Sequence, residues 1–311
     1  MKENRINFRV SHILTDPERQ WTQFRTASSG KVRTAFRDLD VDWKKYNTKD
    51  YLFTHDTACC SVATENNGYW ITPPCWELVN ANGNAWTTPV LLASFKTFIG
   101  GDNFLEHVQI PALSKGKILD AVARPVVHHS EQYGDANIYY VDVLVATDRK
   151  HTSLIERIES GKLSTLSMGT LAEVTQCSIC GKKIYDGDKN CEHIDRHLGQ
   201  MVTCSDGKDR ICSELCGACD DHGDYIENSN SFIELSWVEH PAFKGAVVNS
   251  FIETEEEREL RESSKNDLEK LFSENLFERL RVADRDTNIA LKITRDVIKE
   301  DRIAEKIAKK L

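Results

Sequence analysis

Short apolar runs broken by turn residues run from Tyr51 to about Ala123, where Asn66-Asn67-Gly68, Asn82-Gly83-Asn84 and Gly100-Gly101 supply the punctuation. That pattern predicts mostly strands and loops. Residues 137–147, NIYYVDVLVAT, are rich in β-branched and aromatic side chains and predict the clearest strand of the chain. A helix is expected next, capped by Asp148, with Leu154, Ile155 and Ile158 as its apolar stripe and Gly161 as its left-handed end. A second strand is expected over 162–174. Strand side chains alternate, so Leu166 and Met168 point to one face while Thr165, Ser167 and Gly169 point to the other. Ser167 is thereby set on a small polar surface backed by an apolar one. After a polar, cysteine-rich interruption, residues 232–248, FIELSWVEHPAFKGAVV, predict a strand, a turn at Pro241 and another strand.

The same patterning divides the chain. Residues 1–50 are polar and mixed in charge, with Trp21, Phe24, Phe36 and Trp43 widely spaced, which predicts an arm that docks on a larger body. Residues 51–250 form the main domain, interrupted at 175–223 by an insert expected to be a separate small module. Residues 251–311 begin with an acidic run from Glu253 to Glu262. They continue with Leu268, Leu271, Phe272, Leu276 and Leu280 at helical spacing, a charged, amphipathic helical tail.

Composition narrows the class. The 311 residues, 40% of them apolar, can build one sizeable core with appendages. No run of eighteen apolar residues exists, and the opening MKENRINFRV carries charge where a signal peptide needs an apolar stretch. A soluble cytoplasmic protein without a membrane span is expected. The formal charge of −9 argues against a general nucleic-acid binder, which needs a basic face, and leaves room only for a local basic patch; no specific nucleic-acid partner is expected.

Cysteine usage adds candidate chemistry. Of ten cysteines, seven fall between Cys177 and Cys219, with His193, His197 and His222 nearby. In a reducing compartment that clustering points to metal and not to disulfides. Cys177, Cys180, Cys191 and His193 form a C-x2-C pair followed by a C-x-H pair, the donor set of a closed, structural zinc site. Cys204, Cys212, Cys216 and Cys219 are candidates for a second four-thiolate site, with His197 or His222 as substitutes; alternatively LCGAC packs against the strand that follows. Cys59, Cys60 and Cys75 lie in apolar surroundings and are expected to be buried core thiols.

The order of these elements from residue 103 to 248 resembles the prohead proteases of tailed phages, whose fold is related to the herpesvirus assembly proteases. The resemblance is carried by EHVQIP around His107, SKGKI at 114–118, YYVDVLVATD, IESGKLSTLSMGT around Ser167, and ELSWVEHPA from Glu234 to Ala242, with Ala246 beyond. It implies an α+β fold: a mainly antiparallel, β-barrel-like protease core with flanking helices, a zinc-binding insert and a helical C-terminal tail. The insert resembles zinc-binding segments that follow the serine strand in some large-phage members.

The resemblance also implies an activity, that of a serine endopeptidase. Ser167 would be the nucleophile and His107 its general base, since a serine hydroxyl at neutral pH needs a base within reach. Glu234 would orient the imidazole, with Asp142 and Asp148 as competitors and His55 as an alternative base. Gly169 is expected to let the backbone approach a substrate closely. The implied substrates are the phage scaffold protein and the major capsid protein, inside a procapsid that also holds the portal, in the host cytoplasm; a homo-oligomer is compatible with this. Leu260-Arg261-Glu262 has the form of a cleavage motif of this group. Three rival readings remain. They are a catalytically inactive structural virion protein of the same fold, a zinc-ribbon module that binds nucleic acid or protein, and a zinc hydrolase, for which no HExxH helix is present.

Overall fold

The computed structural model describes residues 33–34, 45–65, 70–71, 75–130, 134–220 and 222–252. Most of the expected arm, the turn at 66–68 and the tail with Leu260-Arg261-Glu262 lie outside the described residues. In chain order the strands begin with β1 (Arg33–Thr34), β2 (Tyr51–Cys60), β3 (Thr64–Glu65), β4 (Trp70–Ile71), β5 (Asn84–Ala85), β6 (Asp102–Leu105), β7 (Gly116–Ser130) and β8 (Gly134–Asp148). They continue with β9 (Leu166–Ala172), β10 (Val174–Cys177), β11 (Lys183–Tyr185), β12 (Met201–Thr203), β13 (Asp209–Ile211), β14 (Glu214–Cys216), β15 (Asn230–Trp237) and β16 (Val248–Ile252). Among the described residues three short α-helices intervene: α1 (Thr88–Ser94), α2 (Thr152–Glu159) and α3 (Glu192–His197).

The main sheet has the order β16-β2-β8-β7-β6-β15-β9, with β1 paired to β7. All of its pairings are antiparallel except β15 with β6. Its central hairpin, β7 and β8, is long because the apolar run NIYYVDVLVAT extends at both ends to fifteen residues. One face of the sheet carries the largest core, in which Leu52, Val141, Val143 and Val145 meet Phe95, Phe98, Leu166, Leu235 and Trp237. Burying these side chains contributes on the order of 2 kcal/mol each, which makes this layer the main source of stability.

The fold is α+β and dominated by strands, but the sheet is not the closed barrel expected. Its end strands, β9 and β16, share only the isolated bridge between Thr165 and Val247, with Leu166 N–H donating to Ala246 O and Val248 N–H to Ser164 O. Both bridge residues precede their strands, so the chains diverge before a ladder can form.

Two local expectations also change. Asp148 does not cap α2; its Oδ1 accepts the Lys150 N–H at the end of β8, and the helix starts after His151. The apolar stripe Leu154, Ile155 and Ile158 is buried, and Gly161 has φ +72°, both as expected. Helix α1 falls inside a region read as strands, where Pro89 in its first turn favours a helix start.

The cysteine-rich insert is not a separate module. Strand β14 pairs in parallel with β5, through Glu214 with Asn84 and Leu215 with Ala85, and β13 pairs with β4 through Ile211 and Ile71. Two four-stranded sheets, β11-β10-β14-β5 and β12-β13-β4-β3, therefore knit the insert to residues 64–85.

A buried polar chain fixes the strands near the candidate site. Trp237 Nε1 donates to Thr147 Oγ1 at 3.2 Å, Thr147 Oγ1 to Asn103 Oδ1 at 3.3 Å, and Asn103 Nδ2 to Leu235 O at 2.7 Å. These side chains are fully buried, so each satisfied group avoids a desolvation cost of about 1–3 kcal/mol. At Gly116 the hairpin closes so tightly that a Cβ would lie 1.9 Å from Ala146 O. Gly116→Ala is expected to force β7 away from β8 and to lower stability by about 1–3 kcal/mol, read by urea unfolding. An unchanged midpoint would contradict this register.

Candidate active site and metal centre

Three adjacent strands assemble the candidate active site. Strand β15 runs between β6, parallel to it, and β9, antiparallel to it. Glu234 stands opposite Gly169 and Ser236 opposite Ser167, so alternation puts all four positions on one face. Strand β6 stops at Leu105. Glu106 and His107 then take φ of +49° and +55°, and Glu106 N–H donates to Trp237 O at 2.9 Å. Two consecutive non-glycine residues in the left-handed region cost of order 1–3 kcal/mol each, a strain held here by the sheet pairing. The turn brings His107 back against β15.

His107 Nδ1 lies 2.8 Å from Glu234 Oε1. Gln109 Nε2 donates to the same oxygen at 3.3 Å, and Ser236 Oγ donates to Oε2 at 2.6 Å. Glu234 is 1% exposed, whereas the His107 side chain is 40% exposed. The buried carboxylate thus has three donors and presents one oxygen to the imidazole. Its hydrogen bond lifts the His107 pKa above the ordinary histidine value, outweighing partial burial, and Glu106 adds to the rise. With Nδ1–H directed at Glu234, Nε2 is the nitrogen left to accept a proton.

Ser167 is 8% exposed, and its neighbours Leu166 and Met168 pack into the main core as alternation predicts. Its hydroxyl has no side-chain hydrogen bond among the described residues, yet it is not sealed from solvent. No hydrogen bond joins it to His107. Gly169 plays a different part from the one expected. A Cβ there would lie 2.5 Å from Glu234 Oε1 and 3.0 Å from Gln109 Nε2, so glycine makes room for the acid and not for a substrate backbone.

The competing acids are engaged elsewhere. Asp142 is fully buried and bonded to Thr57 and Arg124, and Asp148 pairs with Lys150. His55 lies beside Asp142, with Nε2 3.6 Å from Oδ2. Ser236 and Gln109 were not foreseen. Ser236 was legible in principle, two residues after Glu234 on the same strand face, whereas Gln109 is placed by an irregular loop.

A second cluster gathers Cys177, Cys180, Cys191 and His193, whose ligand atoms all lie within 4.8 Å of one another. Cys177 closes β10, Ile179 N–H points to its Sγ at 3.4 Å, and Gly181 turns the chain with φ +69°. Cys191 precedes α3, whose first turn holds His193. His193 Nδ1 is buried without a hydrogen-bond partner, a cost that a bound ion relieves when the ring's ligand atom is engaged. The arrangement fits a metal site.

Cys204, Cys212, Cys216 and Cys219 do not form the second site. No such group exists among the described residues. Cys216 is buried in the main core, which Cys219 also touches. Cys212 instead packs beside the first cluster, with its Sγ 3.3 Å from His193 O. The apolar sequence around Leu215 and Ala218 draws that half of the set into the core. Among the described residues, neither His197 nor His222 joins a metal group. Cys59, Cys60 and Cys75 are buried free thiols, as expected.

Gly169→Ala is expected to displace the Glu234 carboxylate while sparing the fold. The His107 pKa, followed by NMR titration, should fall toward the ordinary histidine value. A pKa equal to that of the wild type would show that Glu234 does not need the space. No family model, curated protein or solved structure matches this chain, so the case for a function rests on its own residues.

Proposed function

We propose that this chain is a serine endopeptidase of the prohead-protease type, with Ser167 as nucleophile, His107 as general base and Glu234 as the acid that orients it. The observation that carries the reading is the 2.8 Å contact between His107, in the turn after β6, and a buried, three-donor carboxylate on β15, the strand paired directly with the one that holds the unbonded Ser167 hydroxyl. In this mechanism Ser167 Oγ attacks the peptide carbonyl and its proton passes to His107 Nε2. The imidazolium, paired with Glu234, then protonates the departing amine, and water releases the acyl group by the same route. Leu166 N–H points away from β15 toward Ala246, so by alternation Met168 N–H faces the same open side of the end strand. That N–H, next to the nucleophile, is the candidate oxyanion donor. The substrates in this reading are the scaffold and major capsid proteins of a phage procapsid in the host cytoplasm.

The Cys177, Cys180, Cys191 and His193 cluster holds zinc in this reading. A closed sulfur and imidazole shell has no open position for substrate, so the ion's part is structural. It stabilises β10, which continues from the serine strand β9 after a break at Glu173.

A structural virion protein that keeps the fold without the chemistry is favoured by one observation, the missing hydrogen bond between Ser167 and His107. Coexpression with the scaffold and capsid proteins, followed by intact mass, separates the two. Ser167→Ala should abolish cleavage while leaving the fold and the bound zinc unchanged. Processing equal in both samples would sink the protease reading.

Four further outcomes are expected. His107 must be neutral to act as a base, so cleavage should rise as pH climbs through its raised pKa. Glu234→Gln removes the main cause of that rise; the limb of the pH profile should move toward acid, with the plateau rate lowered about 10²–10⁴-fold. By the same linkage, the ion pair's contribution to stability is full below the unfolded-state pKa of histidine and is lost as pH rises through the folded value. Unfolding midpoints against pH, wild type beside His107→Gln, would show the difference only on the acid side. Chelation should remove about one zinc per chain and lower cleavage with it; full activity after metal loss would remove the ion from the argument.

A further inference from the structure

A second serine, histidine and acid constellation lies at the other end of the main sheet's strand order, on β16, β2 and β8. Ser250 stands directly opposite His55 in the β16–β2 ladder, and Asp142 stands opposite Thr57 in the β2–β8 ladder. Alternation puts His55 and Thr57 on one face, so Ser250, His55 and Asp142 run diagonally across three strands on the same side. A bulge between Val248 and Ser250 resets the register there, a device that re-aims side chains.

The contacts follow that line. Ser250 Oγ lies 3.4 Å from His55 Nδ1, and His55 Nε2 lies 3.6 Å from Asp142 Oδ2. Asp142 is locked in place: Thr57 Oγ1 donates to its Oδ1 at 2.8 Å, Arg124 Nε donates to Oδ2 at 2.8 Å, and Asn249 Nδ2 in turn holds Thr57 Oγ1 at 2.9 Å. Burial works against charge on Asp142, but His55 and Arg124 outweigh it and hold the carboxyl below the usual carboxylate range. A charged acid facing Nε2 selects the tautomer with its proton on Nε2, which leaves the Nδ1 lone pair toward Ser250. His55 is buried, whereas Ser250 is exposed on a strand at one end of the sheet order. A fixed base is therefore covered by protein on one side and meets a solvent-facing hydroxyl on the other.

We propose that Ser250 is a second nucleophilic serine, activated by His55 and backed by Asp142, that accepts acyl or phosphonyl groups from small activated electrophiles. With an aryl ester, the bond from Oγ to the acyl carbon forms and the bond to the aryl oxygen breaks. The hydroxyl proton passes to His55 Nδ1 and then to the departing oxide; water later frees the acid. With a fluorophosphonate, the oxygen–phosphorus bond forms as fluoride leaves, and the proton stays on the imidazole or passes to solvent. The assignment does not depend on the Ser167 site.

The test treats full-length wild type, Ser167→Ala and Ser250→Ala with a fluorophosphonate and maps adducts by peptide mass spectrometry. Ser250 should be labelled in wild type and equally in Ser167→Ala, while exposed Ser205 stays unlabelled as an internal control. Ser250→Ala should lose that adduct alone. In His55→Gln, with its fold checked by circular dichroism, labelling of Ser250 should slow about 10²-fold or more; Asp142→Asn serves as a second probe should His55→Gln fail to fold. No adduct on Ser250, labelling no faster than at Ser205, or an unchanged rate in the folded variants would overturn the proposal. An adduct on Ser250 without one on Ser167 would instead count against the protease reading and leave this one standing.

Discussion

A carboxylate in the middle of a sheet must be matched by donors, or its desolvation cost falls on the whole fold. Glu234 is the point where this requirement organises the structure. Its 1% exposure would be expensive if it were unpaired, and the solution draws on each surrounding part: Ser236 from its own strand, Gln109 and His107 from the loop after β6, and the empty side of Gly169 on β9. The left-handed pair Glu106 and His107 belongs to the same solution. Without that turn the imidazole could not return to β15, and the loop would offer the acid no second donor.

That requirement separates what the sequence makes legible from what it does not. Period-two alternation gave the facing of Ser167, Leu166 and Met168 correctly, because one face of β9 lies on a large apolar core. The cysteine knuckle was legible for a different reason: thiolates at C-x2-C spacing can meet one ion whatever the surrounding fold. Closure of the sheet was not legible. Whether end strands share a ladder depends on where two loops diverge, and residues 164–166 and 246–248 carry no signal beyond a single bridge. The second cysteine set misled because spacing cannot tell a thiol that turns to a metal from one that turns to the core. Cys216 turned to the core, beside Leu215 and Ala218.

The role of Gly169 shows the same limit at one residue. A glycine beside a candidate nucleophile reads naturally as access for substrate, yet here the space is filled from the other side by Glu234 and Gln109. The difference lies in cross-strand register, which joins positions 169 and 234 across 65 residues of chain. No local pattern contains that pairing. It follows only once β15 is fixed between β6 and β9, and the buried chain Trp237, Thr147, Asn103 and Leu235 does that fixing from the opposite face.

The placement of the metal cluster follows from these constraints. Strand β9 ends the sheet order, so pairing with β15 supports it along one edge, and beyond the bridge at Thr165 no strand among the described residues pairs with the other. A strand so placed frays easily unless something holds its far end. That end leads through Glu173 into β10, whose last residue is Cys177 in the metal cluster, and β10 is itself clamped between β11 and β14. Strand β14 then hands the restraint on to β5, a segment outside the insert. The Cys177, Cys180, Cys191 and His193 cluster, which fits a metal, thus sits at the far end of the segment that continues the serine strand, next to a ladder whose Cys216 reaches the large core. A restraint at this point suits a strand that, among the described residues, is laddered along one edge only and keeps Gly169 in register with Glu234.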